Sequence, residues 1–118
     1  MKTRRFATHN PPDNPVFDYL KSGAKTIEGR PYSTKYHQVA AGDRIVFVNG
    51  SSQHKATVKS VKKYKTLSAY LQGEGLKRTL PGVTTIKEGT RVYDKWSSPG
   101  QRSKLRQKHG YAMIAIRV

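Results

Sequence analysis

After Arg44 the chain runs Ile45-Val46-Phe47-Val48 and then turns at Asn49-Gly50. A short apolar run rich in β-branched and aromatic residues reads as a buried strand, and an Asn-Gly pair directly after it sends the chain back as a hairpin. The returning strand is read from His54 to Tyr64, with Ala56 and Val58 on one face and Val61 out of step by one residue. Such a shift in a period of two marks a bulge near Lys59-Ser60. Two strands that follow each other without a crossover helix exclude a doubly wound parallel sheet. The other strongly apolar run, Tyr111 to Val118, makes the C-terminus a central strand.

The remaining elements follow from local signals. Arg5-Phe6-Ala7-Thr8 is a short strand, and Asn10-Pro11-Pro12-Asp13 is loop. Asn14 reads as an N-cap with Pro15 at the first helical position, Phe17 and Leu20 face the core, and Gly23 stops the helix. Lys25-Thr26-Ile27-Glu28 is β-prone up to Arg30-Pro31, and Ala41-Gly42-Asp43 is a turn. Thr66 caps a helix with Leu67, Tyr70 and Leu71 on one face, and Thr85 with Glu88 has capping-box spacing. Val92, Tyr93 and Trp96 repeat a helical apolar pattern and are assigned to the core. The expectation is one α+β domain over residues 1–118, with residues 1–13 partly irregular and residues 97–110 a basic loop. Its architecture is a small mixed β-barrel of about five to six strands with two to three short helices outside.

Charge decides the partner class. The chain has 118 residues, with 23 Lys+Arg against 7 Asp+Glu and a net charge of +16. A field of that size attracts polyanions, nucleic acid first among them. Basic residues cluster at Lys55, Lys59, Lys62, Lys63 and Lys65, and again at Arg102, Lys104, Arg106 and Lys108, with tyrosines between the clusters. Such surfaces neutralise phosphates and offer rings to bases. Neither cluster has the apolar face of a membrane-surface helix, and no run is long enough to span a bilayer. The basic start, Met1-Lys2-Thr3-Arg4-Arg5, is not followed by the apolar stretch of a secretion signal. The expected protein is therefore a monomer inside the cell, cytoplasmic or nuclear, and not secreted. The chain has no cysteine and its four histidines lack metal-ligand spacing, so no metal or cofactor is expected.

One segment concentrates chemistry. Gly23-Ala24-Lys25-Thr26-Ile27-Glu28-Gly29-Arg30 places one of the few acids between Lys25 and Arg30, directly after a helix stop. In a regular strand Thr26, Glu28 and Arg30 share a face and Lys25 points away, so Lys25 joins them only from an irregular strand end. A carboxylate near Lys25 favours a charged, ligand-binding ammonium over a neutral base. Alternatively, Lys25, Glu28 and Arg30 form a salt-bridge cluster that closes the barrel.

This motif resembles that of the ASCH family of the PUA-like superfamily. The resemblance continues through Gly42-Asp43-Arg44-Ile45-Val46-Phe47, Val58 to Tyr64, Leu80-Pro81-Gly82, Tyr93 and Gly110 to Ile116. It implies a PUA-like barrel whose cleft, beside the first helix, presents the motif's Lys and Glu to a nucleotide-like ligand. Family members are thought to bind RNA. Some small relatives hydrolyse the amide of acetylated cytidine, and others are assigned ribonuclease activity. The amide-hydrolysing relatives use the motif lysine, a threonine three residues later and a glutamate after the next helix. This chain keeps Lys25, carries Glu28 in place of that threonine, and offers Glu74 as the glutamate.

The resulting expectation is a module that binds RNA, in preference to DNA, or a modified nucleoside. Recognition is assigned to Lys25, Thr26, Glu28 and Arg30, with Tyr32 and Tyr36 at the rim. Affinity is assigned to Lys59, Lys62, Lys63, Arg102, Lys104, Arg106 and Lys108. The alternatives are a hydrolase using Lys25, Glu28 and Glu74, acting on acetylated cytidine or as a metal-independent ribonuclease, and a protein-interaction adaptor.

Overall fold

A computed structural model describes residues 2–12 and 14–118. Met1, and Asp13 at the end of the expected loop, lie outside the described residues. The element order is β1 (Thr3–Ala7), α1 (Val16–Ser22), β2 (Ile27–Pro31), β3 (Arg44–Asn49), β4 (Ser52–Thr57), β5 (Ser60–Tyr64), α2 (Leu67–Glu74), α3 (Leu76–Thr79), α4 (Ile86–Asp94), α5 (Pro99–His109) and β6 (Met113–Arg117). The α+β class is as expected. The described strands form two three-stranded sheets, β1-β3-β4 and β2-β6-β5, and no ladder between them closes a barrel.

The strand expected from His54 to Tyr64 is two strands in different sheets. β4 pairs antiparallel with β3, from Arg44 opposite Thr57 to Asn49 opposite Ser52. Val58 N–H still bonds Asp43 O at 2.8 Å, but Lys59 N–H bonds Arg117 O of the other sheet at 2.8 Å. The phase shift at Lys59-Ser60 is therefore where the chain changes sheets, not a bulge within one strand.

β6 is the centre of its sheet, between β2 and β5. Its side chains alternate between two cores. Ile114 and Ile116 join Phe6, Phe17, Leu20, Ile45 and Phe47, while Met113 and Ala115 join Ile27, Tyr70, Leu71, Leu80 and Tyr93. A strand covered on both faces needs no polar positions, which explains its unbroken apolar reading. On the neighbouring β2 the same alternation sends Ile27 to the second core, while Glu28 and Arg30 pair in register with Ile116 and Ile114.

Helix ends differ from expectation in two places. α1 begins at Val16 rather than Pro15, and the Asn14 side chain makes no capping bond. The acceptors come instead from the preceding loop: Phe17 N–H bonds His9 O at 3.2 Å, and Asp18 N–H bonds Asn10 Oδ1 at 3.0 Å. The basic loop expected at 97–110 is helix α5 for most of its length. Ser98 Oγ accepts from Gln101 N–H, Pro99 occupies the first turn, and left-handed Gly110 closes the helix on Arg106 O. Only Arg102 is buried along it, so it lacks the apolar stripe by which helices are read. With α3, this brings the helices among the described residues to five rather than two or three.

The Gly42-Asp43 turn ties the first sheet together. Gly42 has φ +89°, which suits a residue without Cβ, and its N–H bonds Val58 O at 2.9 Å. The Asp43 carboxylate accepts from the backbone N–H groups of Lys2 and Ala40 and from Arg4 Nε, each at 3.1 Å. Burial opposes the charged form, but these three donors outweigh it and hold the Asp43 pKa below the usual carboxylate value.

Candidate functional site

β2 places Glu28 and Arg30 on one face, two residues apart. Glu28 Oε2 receives Arg30 Nη2 at 3.0 Å, and Arg30 Nη1 donates to Tyr36 Oη at 3.0 Å. Arg30 Nη2 also reaches Ala7 O at 3.3 Å and Thr8 Oγ1 at 3.4 Å, anchoring β2 to the end of β1. The guanidinium lies 4.8 Å from the Phe6 ring centre and 5.3 Å from that of Tyr36, a cation-π arrangement. Burial by itself lowers the Arg30 pKa, but the Glu28 carboxylate reverses the effect and raises it.

Lys25 joins this group because the strand has not yet begun. Lys25 N–H bonds Tyr19 O at 3.0 Å and Thr26 N–H bonds Arg78 O at 3.2 Å, so both residues sit in an irregular link before β2. From there Lys25 Nζ lies 3.6 Å from Glu28 Oε1 and donates to Thr79 O at the end of α3. Lys25 is only 1% exposed. Burial lowers its pKa, Glu28 opposes that shift, and Arg30 adds to it. A lysine without solvent contact whose donors go to Glu28 and a carbonyl positions its carboxylate partner.

Glu28, Arg30 and Tyr36 open onto a cleft of about 360 Å³, at the small end of the range for ligand sites. Thr8 and His9 follow β1 into its wall, and Tyr93, Trp96 and Ser97 form the wall at the end of α4. Trp96 is 42% exposed, the single large hydrophobic residue so placed among those described. It meets Tyr93 edge-on at 5.0 Å between ring centres. The core assignment therefore holds for Tyr93, which is buried, and fails for Trp96. α4 ends at Asp94, so Trp96 lies past the last helical turn, where helical spacing no longer predicts direction.

Gly29 explains how Tyr93 reaches the cleft. A Cβ on Gly29 would lie 2.2 Å from Tyr70 Oη and 2.4 Å from its Cζ, so only glycine lets that phenol approach the strand. Tyr70 Oη in turn shares a 2.8 Å hydrogen bond with Tyr93 Oη. Burial foremost keeps both phenols neutral, with pKa values raised.

The other expected residues fall elsewhere. Glu74 is not on the cleft: it accepts from Tyr64 Oη and lies 3.8 Å from Arg117. Burial and that carboxylate push the Tyr64 pKa up to about 12. Tyr32 is buried against Tyr111, His37 and His109 rather than at the cleft rim. Arg102, expected to meet phosphate, is buried and closes the corner between α4 and α5, donating to Ser97 O, to Ser97 Oγ at 3.1 Å and to Asp94. Lys59, Lys62, Lys63, Lys104, Arg106 and Lys108 are exposed, and Thr26 is partly exposed in the link before β2. Thr8, His9, Trp96 and Ser97 carried no usable sequence signal as cleft residues, because they converge from segments far apart in the chain. No group of three or more metal-ligating residues occurs among the described residues, and no described helix is long and apolar enough to cross a membrane.

Comparison with known proteins gives a consistent answer. Residues 13–117 match the ASCH domain. The crystal structure of hypothetical protein PH0355 superposes with a TM-score of 0.80 at 32% identity, covering 99% of this chain and 96% of that one. The solution structure of protein PF0455 from Pyrococcus furiosus superposes with a TM-score of 0.72 at 31% identity, covering 99% and 94%. No curated protein matches. With a domain match over nearly its whole length and structural relatives above 30% identity along both chains, this protein belongs to the ASCH domain family.

Proposed function

We propose that the protein is an RNA-binding module that takes one base or nucleoside into the cleft and holds the adjoining backbone on its basic surface. The observation that carries this reading is that Trp96, exposed, and the Glu28–Arg30 pair line the same small cleft. An indole face suits a π-system, while a carboxylate and a guanidinium supply an acceptor and donors for base edges. The net charge of +16 and the exposed lysines of β5 and α5 suit phosphate contacts that position the strand without reading it. The preference for RNA over DNA and the monomeric state belong to this proposal, as does the reading of the two sheets as a PUA-like barrel.

The hydrolase reading draws less support. Lys25 does not line the cleft, and Glu74 faces Tyr64 and Arg117. The three residues expected to carry hydrolysis, Lys25, Glu28 and Glu74, are therefore not gathered around one reacting position.

The test uses the chain's one tryptophan, which lies in the cleft. Single-stranded RNA oligonucleotides and nucleosides, acetylated cytidine included, are titrated against Trp96 fluorescence. Quenching that saturates, and that Glu28→Gln weakens for some bases more than others, supports the proposal. No change with any ligand overturns it, and release of acetate from acetylated cytidine replaces it with the hydrolase.

A further inference from the structure

The strongest feature outside the cleft is a pair of histidines from segments far apart in the chain. His37 lies in the turn after β2, and His109 is the last residue of α5. Their ring centres are 5.5 Å apart with 35° between the planes. Tyr32 supports both, at 5.8 Å from His37 and 6.0 Å from His109. Tyr32 is itself fixed, buried and donating its N–H to Ala112 O at 2.9 Å. Lys63 of β5 arrives from a third direction, with Nζ 5.5 Å from the Tyr32 ring centre and 5.8 Å from that of Tyr111. The titratable side chains around the pair are thus Tyr32, Tyr111 and Lys63, with Lys35 and Lys108 adjoining along the chain. Among the described residues no ion pair joins His37, His109 or Lys63 to a carboxylate. Both imidazoles are partly exposed and Lys63 is exposed, so all three are open to an anion from solution.

We propose that His37, His109 and Lys63 form a phosphate clamp for the RNA backbone, one that tightens as the two imidazoles take up protons. The proposal rests on the RNA-binding reading above and adds the path of the strand and its regulation by pH. The path follows from the turn at residues 33–37. Tyr36 and His37 both donate backbone N–H groups to Ser33 O, at 3.0 and 2.8 Å. This turn holds Tyr36 against Arg30 at the cleft and the next residue, His37, against His109. His37 directly follows Tyr36, so the turn that supplies a cleft residue also carries one half of the histidine pair. Histidine is the side chain that ordinarily changes charge between about pH 5 and 8. An imidazolium, like an ammonium, donates charge-assisted hydrogen bonds to phosphate oxygens.

The experiment measures binding of a fluorescent single-stranded oligouridylate of about a dozen nucleotides to the full chain, as a function of salt, at about pH 6 and about pH 8. Each phosphate contact on a single strand adds about 0.7 to the slope of log affinity against log salt. The wild type is expected to show a slope steeper by about 0.7 to 1.4 at the lower pH. The His37→Gln/His109→Gln double variant, which keeps His9 and His54, is expected to lose that increment and retain the slope found at the higher pH. Lys63→Gln, at an exposed position, lowers the slope by about 0.7 at both pH values. Circular dichroism establishes that each variant is folded. RNA binding with the same slope at both pH values overturns the clamp and leaves the RNA reading standing. An increment that survives in the double variant overturns the assignment to this pair. Absence of RNA binding at both pH values overturns the RNA reading and the clamp with it.

Discussion

Lys25 and Glu28 are an enclosed ion pair, 3.6 Å apart, in which only Glu28 has access to the cleft. The lysine's other partner is the Thr79 carbonyl, so the pair also fastens the end of α3 to the start of β2. A motif that in sequence looks like two functional charges is, in three dimensions, one cleft-facing carboxylate and its internal counter-ion. Arg30 completes the arrangement from the other side, engaging the second Glu28 oxygen.

Removing the counter-ion is expected to damage the fold before it alters recognition. Lys25→Met leaves Glu28 short of one partner in an enclosed site, a change that typically costs about 3 to 5 kcal/mol. Urea unfolding of wild type and variant measures it. A loss below about 1 kcal/mol would show that Glu28 does not depend on Lys25.

Gly29 is expected to tolerate no side chain. A Cβ there meets Tyr70 Oη at 2.2 Å, Cζ at 2.4 Å and Cε2 at 2.8 Å, and Tyr70 is fully buried between Tyr64 and Tyr93. Gly29→Ala should lower stability by about 3 kcal/mol, the upper end for an overpacked core. Tyr70→Phe should not rescue it, because the clashing ring carbons remain. Thermal denaturation of the single and double variants decides this, and full rescue by Tyr70→Phe would locate the conflict in the hydroxyl alone.

Asp43 is expected to contribute stability that disappears in acid. Its folded pKa lies below the unfolded value of about 3.9, so the unfolded chain holds the proton more tightly. The contribution is complete above about pH 4 and is lost as the pH falls through the lowered folded value. Asp43→Ala, which removes three hydrogen bonds to the carboxylate, should cost about 1 to 3 kcal/mol at neutral pH. The gap between wild type and variant should shrink in acid. A gap that stays constant down to about pH 2 would mean the carboxylate's charge is not what stabilises the turn.

Cleft and surface variants should separate by their sequence dependence. Trp96→Ala removes a stacking face and should weaken RNA binding by about 1 to 3 kcal/mol, roughly 5- to 150-fold. Lys62→Ala and Lys104→Ala should weaken all oligonucleotides alike and reduce the salt slope by about 0.7 each. Fluorescence anisotropy across four homopolymers distinguishes the two patterns. Equal effects from cleft and surface variants would dismiss a recognition cleft.

The sequence by itself determined much of the frame. Ile45 to Val48 and Met113 to Ile116 carry so little polarity that only central strands accommodate them, and the Asn-Gly pair marked the hairpin, although its turn is Gly50-Ser51 and Asn49 ends β3 opposite Ser52. Thr66 and Thr85 marked their helices by caps that involve only neighbouring residues, and both capping bonds are present. These signals are local, arising within a few residues of chain. The signals for α5 were also local, at Ser98-Pro99 and Gly110, but its strongly basic composition hid the helix.

What the tertiary structure decided is everything that depends on convergence. Lys25 turned inward because α3 offers it the Thr79 carbonyl, Arg102 became an internal brace for Ser97 and Asp94, and Glu74 went to Tyr64 and Arg117. Trp96 reached the cleft, and His37 met His109, through packing of segments distant in the chain. A charged or aromatic residue carries the same letter whether it is spent on a buried partner or left open to a ligand. Burial and the position of its neighbours make that distinction, and both are set by the fold as a whole.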